Sequence, residues 1–275
     1  MPRDDEKLCG FQDICSRYPV LESLKSHAVF KRYKDRGNRK KKSKEAGFAF
    51  AESRLNFGKR ESLIFQIYHQ KMDIIFFHGG GGVAGEPLSL VWAGKPLAEK
   101  GIRLVLPSYR VLSRDRSSVF DAISDAESFV RKFLKKPLHD RRLIVGGASF
   151  GGLLALHILR AMPEKTFNGI LLVNPVCDTT RGGFSNKQIP AAGLDDISPN
   201  LYCDNLPQAP CLILHPADDQ VVALRQTTDF LSRWRNGKAT MEVWPQSGGH
   251  GAFNLVENQG KFVEKCSAFS EKCDA

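Results

Sequence analysis

The sequence predicts an α/β fold with a mostly parallel, twisted sheet and helices on both faces. From about residue 72 onward, short apolar runs of strand length alternate with longer stretches of helical periodicity. One predicted strand ends in a run of four glycines, and another leads into a Gly-x-Ser-x-Gly sequence. Open α/β sheets place their binding and catalytic sites at such strand ends.

The predicted elements follow each other in an order typical of this class. Two antiparallel strands are expected within 49–68, around the turn-forming residues 56–58. The strands expected in the parallel part are 73–77, 102–106, 143–145, 169–173, 211–215 and 240–244. Helices are expected near 88–100 and at 119–134, 150–160, 223–234 and 256–270. The Gly-, Pro- and Ser-rich segment 178–200 interrupts the alternation, and we expect there either a wall of a binding pocket or a plain surface loop.

The chain of 275 residues is expected to form one large domain preceded by a basic extension. Residues 1–46 are predicted to be this extension, with a helix at 20–33, and residues 47–275 the main domain. Residues 31–44 hold nine Lys or Arg and one Asp, which is +8 of the net charge of +10. Because few aromatic residues accompany this run, a solvated segment is favoured over a nucleic-acid-binding arm. We expect no nucleic-acid partner, and packing of the extension as part of a cap stays open.

Composition indicates an ordinary globular protein, with 42% hydrophobic and 25% charged residues. No apolar run approaches the roughly 20 residues that a membrane span needs. The N-terminus lacks the apolar core of a secretory signal, so the expected location is cytoplasmic if the sequence is complete. A homo-oligomer is compatible with these features.

The seven cysteines are scattered and include no Cys-x-x-Cys pair, which argues against a disulfide framework or a zinc site. We expect mostly free thiols, with pairing of Cys266 and Cys273 left open. No His-Glu-x-x-His sequence is present either. The sequence therefore predicts neither a bound metal nor a cofactor.

Residues 147–151, Gly-Ala-Ser-Phe-Gly, lie between an apolar strand and a helical stretch. A sharp strand-to-helix turn here would project the Ser149 hydroxyl from the backbone. The flanking glycines remove the side chains that would block such a turn. Ser149 is therefore the candidate nucleophile.

A second candidate element is the sequence His-Gly-Gly-Gly-Gly at 78–82, which follows the predicted strand 73–77. Consecutive glycines allow several backbone N–H groups to approach one bound atom. Acyl transfer needs such donors because its tetrahedral intermediate carries an oxyanion, and one donor contributes about 3 kcal/mol. We assign the oxyanion donors to the N–H groups of Gly80, Gly81 and Phe150.

The same glycines fit a second interpretation. Gly80-x-Gly82-x-x-Gly85 has the spacing of a dinucleotide-binding turn, which is accompanied by an acid about 20 residues later. The next predicted strand is followed instead by Arg110, which suits a 2′-phosphate but not the usual ribose contact. This interpretation is less favoured but stays open. A P-loop is excluded because no Gly-Lys-Ser/Thr follows the glycines.

Two further strand ends supply an acid and a histidine. The predicted strand 211–215 is followed by Asp218 and Asp219, and a later glycine-rich loop carries His250. The order Ser149, Asp219, His250 is the order of nucleophile, acid and base in α/β hydrolases. Asp218 is the rival for the acid.

Together these motifs resemble the α/β-hydrolase esterases with a His-Gly-Gly-Gly oxyanion motif, the hormone-sensitive-lipase-like and carbohydrate-acetyl-esterase-like groups. The resemblance runs from about residue 63 to the C-terminus. It is carried by the motifs above and by Ser108-Tyr109-Arg110, Asp121 to Asp125, Asn174-Pro175-Val176, residues 196–199 and residues 249–254. The spacing of His215 to Asp219 also matches, which favours Asp219 as the acid. The resemblance implies an α/β-hydrolase fold and a Ser149–His250–Asp219 triad that needs no cofactor.

Two departures from this pattern lie close to the candidate site. Gly82 stands where an aromatic residue often follows the three glycines, and Phe150 replaces the small residue usual after the nucleophile. We expect the Phe150 ring to narrow or reshape the pocket, which favours short acyl chains. We also expect His78 to brace the glycine loop and His215 to be structural.

The expected function is that of a serine carboxylesterase for short-chain acyl esters, a small-molecule substrate class that includes acetyl and feruloyl esters of carbohydrates. The alternatives are a serine peptidase of the oligopeptidase type and a non-catalytic binding protein on a hydrolase scaffold. The sequence has no propeller domain to restrict peptide entry, which disfavours the peptidase. All three candidate triad residues are present, which disfavours the binding protein.

Overall fold

The computed structural model describes residues 51–57, 60–66, 71–135, 142–162 and 167–274. The predictions for the extension 1–46, including its helix and its packing as part of a cap, lie outside these residues. The domain boundary at residue 47 stays a prediction.

Eight strands form a single sheet in the described part of the chain. They are β1 (Ala51–Phe57), β2 (Arg60–Gln66), β3 (Met72–Phe77), β4 (Ile102–Leu106), β5 (Arg142–Ala148), β6 (Gly169–Val173), β7 (Cys211–His215) and β8 (Ala239–Val243). Their spatial order is β1-β2-β4-β3-β5-β6-β7-β8. The β1–β2 hairpin pairs antiparallel to β4, whereas the remaining pairs are parallel.

The helices accompany the parallel strands. They are α1 (Gly94–Glu99), α2 (Leu112–Asp115), α3 (Val119–Leu134), α4 (Phe150–Ala161), α5 (Pro199–Tyr202), α6 (Leu224–Arg233) and α7 (Val256–Asp274). Short 3₁₀ turns are found at Pro87–Ala93, Asp195–Ile197, Cys203–Asn205 and Ala252–Asn254.

Helices cover both faces of the parallel strands, because successive strand residues point to opposite faces. Ile75 of β3 packs into one core with α3, α4 and α6, whereas Ile74 packs into a second core with α1 and α7. Every position of β3, β6 and β7 is buried. Burial on both faces explains why these strands are continuous apolar runs in the sequence. The predicted α/β class with a mostly parallel sheet is confirmed.

The predicted bounds of β4, β6, β7 and α3 are those observed. The prediction of 143–145 for β5 was too short, because pairing with β3 and β6 extends this strand through two glycines that are poor strand formers. The predicted helix 88–100 is a 3₁₀ turn followed by the short α1. Two short helices, α2 and α5, were not predicted.

The described residues contain no helix of the length and apolarity that crossing a membrane requires. Five cysteines in this part of the chain are buried free thiols: Cys177, Cys203, Cys211, Cys266 and Cys273. Cys266 and Cys273 both lie on α7, and they do not form the pair that the sequence left open.

Candidate active site

Ser149 lies at the tight turn between β5 and α4, with φ 55° and ψ −120°. A positive φ is strained for a residue other than glycine. Close packing holds this turn, because a β-carbon at Gly147 would overlap the carbonyl of Gly151, and one at Gly151 would overlap that of Phe77. The Ser149 N–H also donates to the carbonyl of Val173, at 2.9 Å. The flanking glycines therefore permit the strand-to-helix turn that presents the hydroxyl.

Three side chains from separate strand ends meet at this turn. Ser149 Oγ lies 2.8 Å from Nε2 of His250, and Nδ1 of His250 lies 2.7 Å from Oδ2 of Asp219. Asp219 follows β7 and His250 follows β8, so the carboxyl ends of the parallel strands bring the three residues together. Because Asp219 accepts a hydrogen bond from the Nδ1–H group, the lone pair of Nε2 faces the Ser149 hydroxyl and can take its proton.

Both carboxylate oxygens of Asp219 accept hydrogen bonds. Its second oxygen, Oδ1, accepts the N–H groups of Val221 and Val222, at 2.9 Å each. Burial by itself would raise the pKa of Asp219, but the hydrogen bonds from His250 and from the two amides bring the pKa below its ordinary value. The carboxylate therefore stays ionised at neutral pH and keeps one orientation.

Asp218 binds a different part of the site. Its two oxygens accept the N–H groups of Gly248 and Gly249, at 3.0 Å each. These glycines directly precede His250 in the loop after β8. Asp218 therefore fixes the loop that carries His250, whereas Asp219 contacts the imidazole itself.

His215 is a buried histidine at the end of β7. Its Nε2 donates to the carbonyl of Val222, and its Nδ1 accepts from the Thr227 hydroxyl, at 2.8 Å each. Burial lowers the pKa of His215, which keeps the ring neutral. These contacts give His215 the structural position expected for it.

The glycine loop after β3 has hydrogen-bonded carbonyls on one side and the N–H groups of Gly80 and Gly81 on the other side. The carbonyl of Gly79 accepts from the His78 ring at 2.7 Å, and the carbonyl of Gly80 accepts from two amides further along the turn, at 3.0 Å each. In a trans peptide the following N–H points away from the carbonyl. The N–H groups of Gly80 and Gly81 therefore point away from these bonds. Neither donates to another backbone carbonyl among the described residues.

This loop lies beside the candidate nucleophile. A β-carbon at Gly79 would be 3.3 Å from Cβ of Ser149. The N–H of Phe150, the first residue of α4, belongs to the helix-terminal groups that have no intrahelical partner. Gly80 and Gly81 directly follow Gly79, so the three predicted donors, Gly80, Gly81 and Phe150, all lie near Ser149.

His78 and Tyr109 support the glycine loop from inside the fold. Their rings stack with centroids 4.1 Å apart, and the Tyr109 hydroxyl donates to the His78 carbonyl at 2.7 Å. Burial lowers the pKa of His78 to about 4, so the ring is neutral at pH 7. His78 thus has the bracing position expected from the sequence.

The Phe150 ring is fully buried and lies 6.1 Å from the Tyr109 ring, so the expected narrowing of an open pocket is not observed. The expected reshaping of the pocket stays a prediction. A β-carbon at Gly82 would be only 3.0 Å from Cζ of Phe150. The two departures from the esterase pattern are therefore linked, because the missing side chain at Gly82 leaves room for the Phe150 ring.

The segment 178–200 reaches back to the glycine loop. Nδ2 of Asn186 donates to the carbonyl of Gly81 at 2.9 Å, and Nε2 of Gln188 lies 3.2 Å from the carbonyl of Gly82. Two backbone amides in turn donate to Oδ1 of Asn186. The segment therefore supports the candidate oxyanion loop and is not a plain surface loop.

The dinucleotide interpretation does not fit the structure. Arg110, its candidate phosphate ligand, instead forms ion pairs with Asp121 at 2.6 Å and with Asp125 at 3.0 Å. The glycines lead into a 3₁₀ turn with Pro87 in its first turn, not into the helix N-terminus that binds a pyrophosphate. The described residues also contain no cluster of His, Cys, Asp or Glu that could hold a metal ion.

The sequence predicted no role in the site for three side chains, namely Asn174, Asn186 and Gln188. Asn174 is buried directly after β6, with Nδ2 2.9 Å from Nδ1 of His250. Its position at the end of a buried strand was the signal that could have found it. Asn186 and Gln188 carry no such signal, because their partners lie more than a hundred residues away in the chain.

Comparisons with known proteins agree with this architecture. Residues 74–205 match a protein family that is described as having the alpha/beta hydrolase fold. No protein with a curated description matches the sequence at a significant level.

Among solved structures, the chain is similar to a thermophilic esterase from the planctomycete Thermogutta terrifontis with propionate bound. The identity is 22%, the TM-score is 0.63, and the match covers 82% of this chain and 94% of that one. Esterase 2 of the same organism, phosphonylated by sarin, matches with 22% identity, a TM-score of 0.63, and coverage of 82% and 95%. The form phosphorylated by paraoxon matches with 21% identity, a TM-score of 0.62, and coverage of 80% and 92%. The family match and the shared architecture show that this chain has the α/β-hydrolase fold.

Proposed function

We propose that the protein is a serine carboxylesterase that hydrolyses short-chain acyl esters. The observation that carries the proposal is the continuous hydrogen-bonded chain from Ser149 Oγ through His250 to Asp219, with contacts of 2.8 and 2.7 Å. These three residues lie beside a glycine loop in which the N–H groups of Gly80 and Gly81 point away from the hydrogen-bonded carbonyls of the loop. A nucleophile, an oriented base and oxyanion donors at one turn are the requirements of acyl transfer.

In the proposed mechanism, Ser149 Oγ attacks the ester carbonyl while His250 takes the hydroxyl proton. The N–H groups of Gly80, Gly81 and Phe150 stabilise the tetrahedral oxyanion. His250 then gives its proton to the leaving alcohol, which leaves an acyl group on Ser149. Water, activated by the same histidine, attacks this acyl-enzyme and releases the acid. Asp219 orients the imidazole and stabilises its charged form throughout.

The structural neighbours support the reaction class and the short acyl chain. They are described as an esterase with propionate or butyrate bound and as the same esterase phosphonylated by sarin. Organophosphates modify an activated serine, the group that this site presents at Ser149. Because the Phe150 ring is buried, the preference for short chains no longer rests on that residue. Acylated carbohydrates remain the substrate candidates.

The proposal is tested with p-nitrophenyl esters from acetyl to dodecanoyl, comparing the wild type with Ser149→Ala. We expect turnover of the short esters by the wild type and a loss of several orders of magnitude in the variant. Ser232→Ala, which removes an exposed hydroxyl on α6, is the matched control and should keep wild-type rates.

A p-nitroanilide series run in parallel separates an esterase from a peptidase, and paraoxon labelling read by mass spectrometry identifies the modified serine. Wild-type turnover by Ser149→Ala would refute the assignment. Paraoxon labelling at another serine would do the same.

A further inference from the structure

Asn174 lies against the imidazole of His250. The residue follows β6 directly, and its side chain is fully buried. Its Nδ2 lies 2.9 Å from Nδ1 of His250 and 3.3 Å from Nε2 of the same ring. The candidate base therefore has a third polar neighbour besides the serine and the carboxylate.

The Asn174 amide contacts the face of the ring and not its edge. Nδ1 of His250 already donates to Asp219, and Nε2 already faces the Ser149 hydroxyl. Each nitrogen of an imidazole has a single bonding direction in the ring plane. An atom in the ring plane at these two distances would also overlap a ring carbon, so the amide must lie above that plane. From there the amide resists tilting of the ring out of the line between its two partners.

Backbone conformation alone does not account for the asparagine. Its φ of 35° is in the left-handed region, where both asparagine and glycine occur. Glycine would adopt this conformation without burying a polar group. Asn174 instead leaves its Oδ1 buried without a hydrogen-bond partner among the described residues, which is unfavourable. A buried amide in these surroundings indicates a role for the side chain.

We propose that Asn174 is a positioning residue, which holds the His250 imidazole between the Ser149 hydroxyl and the Asp219 carboxylate. The inference rests on the proposed esterase function, because it concerns the base of that reaction. Positioning matters for the rate, since a displacement of about 1 Å in a reacting group can lower turnover roughly 100-fold.

The test is Asn174→Gly, which removes the amide and keeps a backbone that tolerates a positive φ. We expect kcat for p-nitrophenyl acetate to fall by about 10- to 100-fold, with KM within about twofold, because the side chain acts on the base and not on substrate binding. Arg116→Gly is the matched control: this exposed residue also has a positive φ, of 51°, and its replacement should leave kcat unchanged. Wild-type kcat in Asn174→Gly would overturn the proposal.

A second readout does not depend on turnover. We expect the proton between His250 Nδ1 and Asp219 to give a downfield proton NMR resonance in the free protein. We expect this resonance to broaden or disappear in Asn174→Gly and to persist in Arg116→Gly. If the wild type hydrolyses no ester, the proposed function fails, and an unchanged resonance in Asn174→Gly would overturn the positioning role separately.

Should the glycine variant unfold, Asn174→Asp keeps the side-chain shape and also tolerates the backbone. It places a carboxylate oxygen against the ring, so the resonance must shift if the contact exists. An unshifted resonance in Asn174→Asp would overturn the proposal.

Discussion

Asp218 and Asp219 are neighbours in the chain, but the turn after β7 directs their carboxylates to different partners. Asp219 contacts the imidazole of His250 at 2.7 Å, whereas Asp218 accepts hydrogen bonds from two backbone N–H groups in the loop that precedes His250. The first contact determines the protonated nitrogen of the ring. The second determines only where the loop lies. The same chemical group therefore has two separable effects at adjacent positions.

We expect Asp219→Asn to lower kcat/KM for p-nitrophenyl acetate by about 10⁴-fold. An asparagine amide can donate to Nδ1, and this favours the tautomer in which Nε2 cannot accept the serine proton. Asp218→Asn is the matched control, since it makes the same change one residue away. It removes one of the two hydrogen bonds to the loop, because an amide has a single acceptor oxygen, and should lower kcat/KM by no more than about tenfold. Equal losses in the two variants would show that the acid is wrongly assigned.

The candidate triad was predictable at the residue scale because each member directly follows its own strand or lies in the loop after it. A short sequence window therefore contains both the strand and the residue. The contact between Asn174 and His250 joins residues 76 positions apart, and only the packed sheet brings them together. The sequence also could not show that the Phe150 ring points inward, because χ angles depend on neighbours from other elements.

At the scale of elements, the glycine loop and the Phe150 ring of α4 pack so closely that a side chain at position 82 would compete with the ring for space. Gly82 has φ 71°, and a β-carbon there would be 3.0 to 3.3 Å from three carbons of the Phe150 ring. The ring itself is fully buried. Any side chain at position 82 must therefore displace a ring that lies beneath the candidate oxyanion loop.

We expect Gly82→Ala to lower the free energy of unfolding by about 1–3 kcal/mol, partly from the ring contact and partly from the positive φ. Phe150→Ala should cost about 3–5 kcal/mol through the cavity it leaves. In the double variant, the loss in the free energy of unfolding should be about 1 kcal/mol smaller than the sum of the two single losses, because the methyl group at position 82 then has room. Urea unfolding of all four proteins measures this coupling.

Gly101→Ala is the control for the positive φ. Gly101 has φ 77°, and a β-carbon there would meet nothing within 4 Å. Its replacement should therefore combine additively with Phe150→Ala. If the effects of Gly82→Ala and Phe150→Ala on the free energy of unfolding are additive, a methyl group at position 82 does not compete with the Phe150 ring for space.

Element bounds were predictable where an apolar run has clear polar or glycine neighbours, as in β4 and β7. They were less predictable where tertiary contacts decide. Pairing on both sides extends β5 through Gly146 and Gly147. The segment 178–200 gave only a loop signal, yet Asn186 and Gln188 anchor it to the glycine loop. Such contacts depend on the fold as a whole and not on local propensity.

At the scale of the molecule, three buried histidines among the described residues couple stability to pH: His78, His157 and His215. Burial lowers the pKa of His78 and of His157 to about 4 each, from an ordinary value of 6.5. Between these values the unfolded chain binds more protons than the folded chain, so acidification favours unfolding. The stability present above pH 6.5 is therefore lost as the pH falls toward 4. The lowered pKa of Asp219 acts only at still lower pH, below the ordinary value of about 3.9.

We expect His157→Gln to flatten the fall in Tm between pH 6.5 and pH 4. His157 lies on α4 away from the reacting groups, and its Nε2 donates to the carbonyl of Ile197 at 3.1 Å, a bond that a glutamine amide can replace. A shift from 6.5 to about 4 corresponds to at most roughly 3 kcal/mol per histidine, which is several degrees in Tm for a domain of this size. Calorimetry of both proteins at pH 8, 6.5, 5 and 4 separates this slope from any constant packing loss. Parallel curves for the two proteins would mean that His157 does not contribute to the acid sensitivity of the fold.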